Sequence, residues 1–138
     1  MKLIANIDGA SFGNPGSSGL GVVLQDSAGK IVQEHFEHLG HGTNNRAEYL
    51  ALLRSVELAH KLGADELEVR SDSQLVVSQM NGSYKIKKQE LQAIAMEVHQ
   101  KIRASGLKFS ITHIPREMNK AADKLAKKGA QMGQAGIV

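Results

Sequence analysis

Four acidic residues, Asp8, Glu48, Asp72 and Asp123, fall where the sequence pattern begins or ends an element. Carboxylates gathered at one place repel one another, and a fold that gathers them needs a cation or a shared proton to neutralise the cluster. Donors that are all oxygen favour Mg²⁺ or Mn²⁺ over zinc. The chemistry open to such a site is metal-assisted hydrolysis. Each acid also has a purely structural role available. Asn45-Arg46-Ala47-Glu48 fits a capping box, with Asn45 as N-cap and Glu48 reaching back. Asp72 suits the N-cap of a helix beginning at Ser73. Asp123 favours the positive end of a helix dipole, and Asp8-Gly9 an ordinary turn.

The elements that must position these acids follow from periodicity. Lys2 to Asp8 alternates Leu3, Ala5 and Ile7 as a strand, and a turn-rich stretch runs from Gly9 to Gly19. Leu20 to Gln25 and Lys30 to Leu39 read as two further strands of an antiparallel meander, joined through Asp26-Ser27-Ala28-Gly29. From Asn45 to Leu62 the apolar residues Tyr49, Leu52, Leu53, Val56 and Ala59 recur at helical spacing, and Gly63 is a stop. Leu67 to Ser71 is a fourth strand. Asp72 to Met80 is a short helix closed by Asn81-Gly82, and Lys88 to Ala104 an amphipathic helix carrying Leu91, Ile94, Ala95, Val98 and Ile102. Lys108 to Ile114 is the fifth strand, with Phe109, Ile111 and His113 on one face. Asn119 opens a last helix expected to end near Lys128, and residues 129–138 are expected to form a flexible tail.

The order β-β-β-α-β-α-α-β-α predicts an α/β fold with a five-stranded mixed sheet and helices on its faces. Strands joined through a helix run parallel, and ligands gather at their ends. If the first and fourth strands are adjacent, Asp8 and Asp72 emerge at the same edge. Glu48 and Asp123, each in the first turn of a helix, can point toward it.

Length and composition fit one domain. The chain has 138 residues, 41% hydrophobic, with no cysteine, which excludes disulfides and thiolate metal sites and fits a reducing cytoplasm. No apolar run approaches the length of a membrane span, and Asp8 comes too early for a signal peptide, so a soluble, unexported protein is expected. The net charge of +3 is unevenly spread: residues 1–84 sum to −4 and residues 85–138 to +7. An acidic metal-binding part joined to a basic part suits a polyanionic substrate, since one holds what the other cuts. A solvated lysine-rich helix face would leave the same imbalance.

The segments Ile7-Asp8-Gly9 with Gly13-Asn14-Pro15-Gly16, Thr43-Asn44-Asn45-Arg46-Ala47-Glu48, Ser71-Asp72-Ser73-Gln74, and His113 with Pro115-Arg116-Glu117-Met118-Asn119-Lys120-Ala121-Ala122-Asp123 resemble type 1 ribonuclease H. Each is weak alone. In this order, with the expected elements between them, they are highly specific. The resemblance implies a ribonuclease H-like catalytic domain over residues 1–128 that cleaves the RNA strand of RNA–DNA hybrids, leaving 5′-phosphate and 3′-hydroxyl ends. It implies that Asp8, Glu48, Asp72 and Asp123 hold two Mg²⁺ ions about 4 Å apart, bridged by Asp8, with Mn²⁺ a possible substitute.

The resemblance further places Gly9, Asn14, Thr43, Asn44, Asn45, Arg46, Ser73 and Gln74 against the substrate. The 2′-hydroxyl separates RNA from DNA, and amides suit it because each both donates and accepts. Thr43 and Arg46 would lie near phosphates. His113, ten residues before Asp123, matches a family histidine implicated in proton transfer or product release, which suits its pKa class. The other histidines, His35, His38, His41, His60 and His99, show no ligand spacing and read as surface residues. A monomer without a membrane partner is expected.

The best-known bacterial form of the family carries an extra basic helix and loop, with tryptophans, before its next long helix. Here the interval is only Asn81 to Lys88, and the chain has no Trp. Lys85, Lys87 and Lys88 are what this interval offers instead. No separate hybrid-binding or polymerase domain is expected alongside the catalytic one.

Overall fold

The computed structural model describes residues 1–135. Strands β1 (Lys2–Phe12), β2 (Gly16–Asp26) and β3 (Ile31–Gly42) form the expected meander, each extended beyond its apolar alternation. Helix α1 (Asn44–Lys61) leads to β4 (Glu66–Ser71), then come α2 (Gln74–Met80), α3 (Gln89–Ser105), β5 (Lys108–His113) and α4 (Lys120–Ala135). The sheet order is β3-β2-β1-β4-β5. The β1–β2 and β2–β3 pairs are antiparallel, and β1–β4 and β4–β5 parallel. Ile7 opposite Ser71 is the last pair of the parallel β1–β4 ladder, so Asp8 and Asp72 follow it side by side; β4 ends there, whereas β1 runs past the expected end at Asp8 and stays paired with β2 as far as Phe12.

One face of the sheet carries the main core. Leu3, Ile7, Leu20, Val22, Leu67 and Val69 pack there against Tyr49, Leu52 and Val56 of α1 and Leu91 and Val98 of α3, all buried. Full burial of each such side chain contributes about 1.5–3 kcal/mol, so this layer fixes α1 and hence Glu48. Tyr49 brings a hydroxyl into the core and donates it to Gln79 Oε1 at 2.7 Å. No helix among the described residues is long and apolar enough to cross a membrane.

The opposite face is covered by α4, whose Ala122, Ala126 and Ala130 recur every fourth residue and are buried. The helix sits almost backbone to backbone on β2: a Cβ on Gly21 would lie 2.4 Å from the Ala122 carbonyl oxygen. Helix α4 also corrects the expected stop at Lys128, continuing to Ala135. Lysines suggested an exposed end, but Gly129 and Ala130 are buried, and Ser17 Oγ donates to the Ala130 carbonyl at 2.7 Å. The expected flexible tail therefore does not begin at Gly129. Its last three residues, 136–138, lie outside the described ones.

Candidate active site

Asp8, Glu48 and Asp72 come from β1, α1 and the turn after β4. Each offers a carboxylate oxygen, and the three oxygens lie within 4.8 Å of one another. Asp8 and Glu48 are buried and Asp72 half-buried. Asp123, in the first turn of α4, lines the same open cavity of about 460 Å³. It stands outside the close trio, with Lys127 Nζ 3.0 Å from its Oδ2.

Glu48 is held from two sides. The Gly9 backbone amide donates to its Oε2 and the Ser71 hydroxyl to its Oε1, both at 2.7 Å. This settles one of the structural alternatives. Thr43, not Asn45, caps α1, accepting from the Arg46 amide at 3.1 Å, and the Glu48 carboxylate turns into the cavity instead of back to its own helix start. The N-cap of α2 is likewise Ser73, which accepts from the Val76 amide and leaves Asp72 uncommitted to the helix. Ser71 was not singled out from the sequence, although a small hydroxyl closing an apolar strand beside an acid is a signal for such an orienting role.

Burial, then the neighbouring Glu48, Asp72 and Asp123, push the Asp8 carboxyl up to about 9. Burial also raises Glu48 to about 7, against the Ser71 and Gly9 hydrogen bonds, which favour its ionised form. A cluster that holds protons this far above the ordinary carboxylate range is one a divalent cation can relieve. The fit is good in kind as well, since every converging donor is a carboxylate oxygen.

Of the expected substrate contacts, Gly9, Asn44, Asn45 and Ser73 line the cavity. Asn14, Thr43, Arg46 and Gln74 do not. Asn14 sits just beyond, its Oδ1 accepting from the Asn44 amide at 3.1 Å. Arg46 is engaged within the protein, its Nε 2.9 Å from Glu90 and its Nη1 donating to the Leu39 carbonyl. Gln74 donates to Ser78. His113 ends β5 opposite Ser71, exposed and outside the cavity lining, while Ile111 supplies the buried side of that strand. Asn119, placed just before α4, does more than open it: its buried amide donates to the Ile7 carbonyl at 2.8 Å and to Asp72 at 3.3 Å. His38 is exposed, as expected, with its ring against the Gly129 carbonyl, and His35 is half-buried and paired with Glu37.

The family described as reverse transcriptase-like matches residues 6–129. Ribonuclease HI of Halobacterium salinarum is 41% identical over 130 residues, which is 91% of this chain and 62% of the relative. The crystal structure of RNase H1 from that archaeon has a TM-score of 0.90 at 39% identity, covering 95% of this chain and 98% of that one. This chain belongs to the type 1 ribonuclease H family. LC11-RNase H1, solved in complex with an RNA/DNA hybrid, has a TM-score of 0.91 at 36% identity, covering 96% of this chain and 99% of that one. A bifunctional protein of Mycobacterium tuberculosis is 37% identical over 127 residues. This chain spans 62% of the halobacterial relative's length and 35% of the mycobacterial one's.

As a type 1 ribonuclease H, the chain has the fold its motifs implied, a five-stranded mixed sheet flanked by helices. The segment between α2 and α3 is short and is held from both helices at its middle. Gln79 Nε2 donates to the Lys85 carbonyl at 3.3 Å and Gln92 Nε2 to the Ile86 carbonyl at 2.5 Å. Beside it lies a second cavity of about 410 Å³, lined by Leu75, Tyr84, Lys85, Lys87 and Lys88 among others and by no acid. Asn45 lines both cavities, so the acidic and basic ones adjoin.

Proposed function

We propose that the chain is an endonuclease that hydrolyses the RNA strand of RNA–DNA hybrids, leaving 5′-phosphate and 3′-hydroxyl ends. The observation that carries this reading is the convergence of Asp8, Glu48 and Asp72 within 4.8 Å at the edge of the sheet. Two Mg²⁺ ions, or Mn²⁺ in their place, would supply the charge that activates a water and stabilises the leaving 3′-oxygen. Asp8, Glu48 and Asp72 would hold them, with Asp123 as the fourth carboxylate.

The chain's own residues do the rest. Gly9 and Ser71 keep the Glu48 carboxylate aimed into the cavity. Asn119 ties β1 at Ile7, beside Asp8, to Asp72. Asn44 and Asn45, on the cavity wall, present amides to the sugar edge of the RNA strand, where the 2′-hydroxyl distinguishes it from DNA. Gly9 and Ser73 bring backbone close to the same strand, and Asn14, Thr43, Arg46 and Gln74 form a second rank behind them. His113, exposed at the end of β5, moves a proton or helps product leave. The adjoining cavity between Tyr84 and Lys88 takes the DNA strand, its lysines meeting phosphates and Tyr84 offering a face for stacking. The protein acts as a monomer in the cytoplasm.

The test is cleavage of an end-labelled RNA–DNA hybrid with Mg²⁺, beside DNA duplex, single-stranded RNA and an Asp72→Asn control. Cutting confined to the RNA of the hybrid, and lost in the control, is expected. A hybrid that is bound but never cut would make the chain a binding module.

A further inference from the structure

Asp123 differs from the other three acids in having its own cation. Lys127 follows it by one helical turn, so the two side chains share a face of α4, with Nζ 3.0 Å from Oδ2. Both line the acidic cavity with Asp8, Glu48 and Asp72. Lys127 is 57% exposed and Asp123 35%, so the pair sits at the rim where solvent and a polyanion both have access. An exposed i, i+4 pair of this kind is weak and easily broken.

We propose that Lys127 is a resident counter-ion that holds Asp123 in reserve and gives it up when a second divalent cation enters the site. It is a positioning residue, since it acts through Asp123. Until it is displaced, the close trio is the better cation site and Asp123 is already neutralised. Once displaced, the ammonium group stands at the rim, where it can meet a phosphate of the bound strand. Uptake of the second ion and capture of the nucleic acid are thereby linked, each favouring the other. The inference rests on the metal-dependent reading above, but on no detail of the reaction.

The experiment is calorimetric titration of the chain with Mn²⁺ in the absence of nucleic acid, for the wild type, Lys127→Met and Lys127→Arg. Removing one unit charge roughly 5 Å from a divalent ion in a medium close to water changes its affinity by about tenfold. Lys127→Met should therefore bind its weaker ion about tenfold more tightly, or show a second ion where the wild type shows one. Lys127→Arg should stay close to the wild type, and the tighter ion should be little changed in both. Thermal melting with and without Mn²⁺ gives a second readout, with Lys127→Met gaining more from the ion. Equal affinities in the wild type and Lys127→Met, or weaker binding in Lys127→Met, would overturn the inference while hybrid cleavage by the wild type still stood. No Mn²⁺ binding by the wild type, together with no cleavage, would bring down both.

Discussion

Gly9 and Glu48 meet backbone to backbone as well as through their hydrogen bond: a Cβ on Gly9 would lie 2.4 Å from the Glu48 amide nitrogen and 2.8 Å from the Ala47 Cβ. Helix α1 is therefore seated directly on β1 at Gly9, through Ala47 and Glu48, and Glu48 lies just past the first turn in which the spacing places it. Glycine is required there by the approach itself, whatever contact it also makes with a ligand.

Gly9→Ala tests this seating. The added methyl must push α1 away from β1, an overpacking that costs about 1–3 kcal/mol, and it carries Glu48 with it. A fall of several degrees in Tm is expected, with hybrid cleavage reduced about 100-fold, as misplacement of a reacting group by about 1 Å can do. Wild-type turnover by Gly9→Ala would show that the position of Glu48 does not depend on this contact.

The raised carboxyls make a prediction about metal-free stability. A carboxyl that stays protonated in the folded state up to about 9 (Asp8) or about 7 (Glu48), but ionises near 4 once unfolded, leaves the folded state binding more protons between those limits. Stability must then fall as pH rises from about 4 toward 9, with Glu48 contributing to about 7 and Asp8 beyond it. In EDTA, Asp8→Asn should melt above the wild type at pH 8 and close to it at pH 4, and excess Mg²⁺ should reverse the order. A wild-type Tm that rises from pH 5 to 8 in EDTA would contradict the assignment.

Much of this site is legible because its acids sit at or near element boundaries, which periodicity locates well for Asp72 and Asp123 and only approximately for Asp8, inside β1, and Glu48, just past the first turn of α1. The adjacency of Asp8 and Asp72 followed from a parallel β1–β4 pair. What stayed hidden depended on distances between elements. Asn45 and Asp72 both have the right type and spacing for helix caps, and only the structure shows that Thr43 and Ser73 take those places. Gly21, which admits α4 to the sheet opposite Asp8 in the β1–β2 register, reads in the sequence as one more position of the strand Leu20 to Gln25, with nothing to announce the close approach. The length of α4 was underestimated for a related reason: Gly129 suggests a stop, and its burial against β3 cannot be seen from neighbouring residues.

Ser71→Ala removes the largest of the hydrogen bonds that favour the ionised form of Glu48, so its carboxyl should rise further above about 7. A ligand that must be deprotonated binds a cation less well at a given pH. The acid limb of the cleavage profile at fixed Mg²⁺ should therefore move to higher pH, and raising Mg²⁺ should move it partly back. Superimposable profiles for Ser71→Ala and the wild type would remove Ser71 from the account of the site.

If the DNA strand runs along the short segment between α2 and α3, as proposed above, salt dependence measures the contact directly. Lys85, Lys87 and Lys88 are all exposed along it, next to a cavity that contains no acid and adjoins the active one at Asn45. Each lysine that neutralises a phosphate of the duplex contributes about 0.9 to the slope of log affinity against log salt. Replacing all three with alanine should flatten that slope for hybrid binding by about 2.7 if each meets a phosphate, with the loss of affinity greatest at low salt. Because none of the three touches the carboxylates, cleavage at saturating hybrid should stay within about twofold of the wild type. An unchanged slope would mean that the polyanion runs elsewhere on the protein, and the lysine-rich outer face of α4 would be the next surface to test.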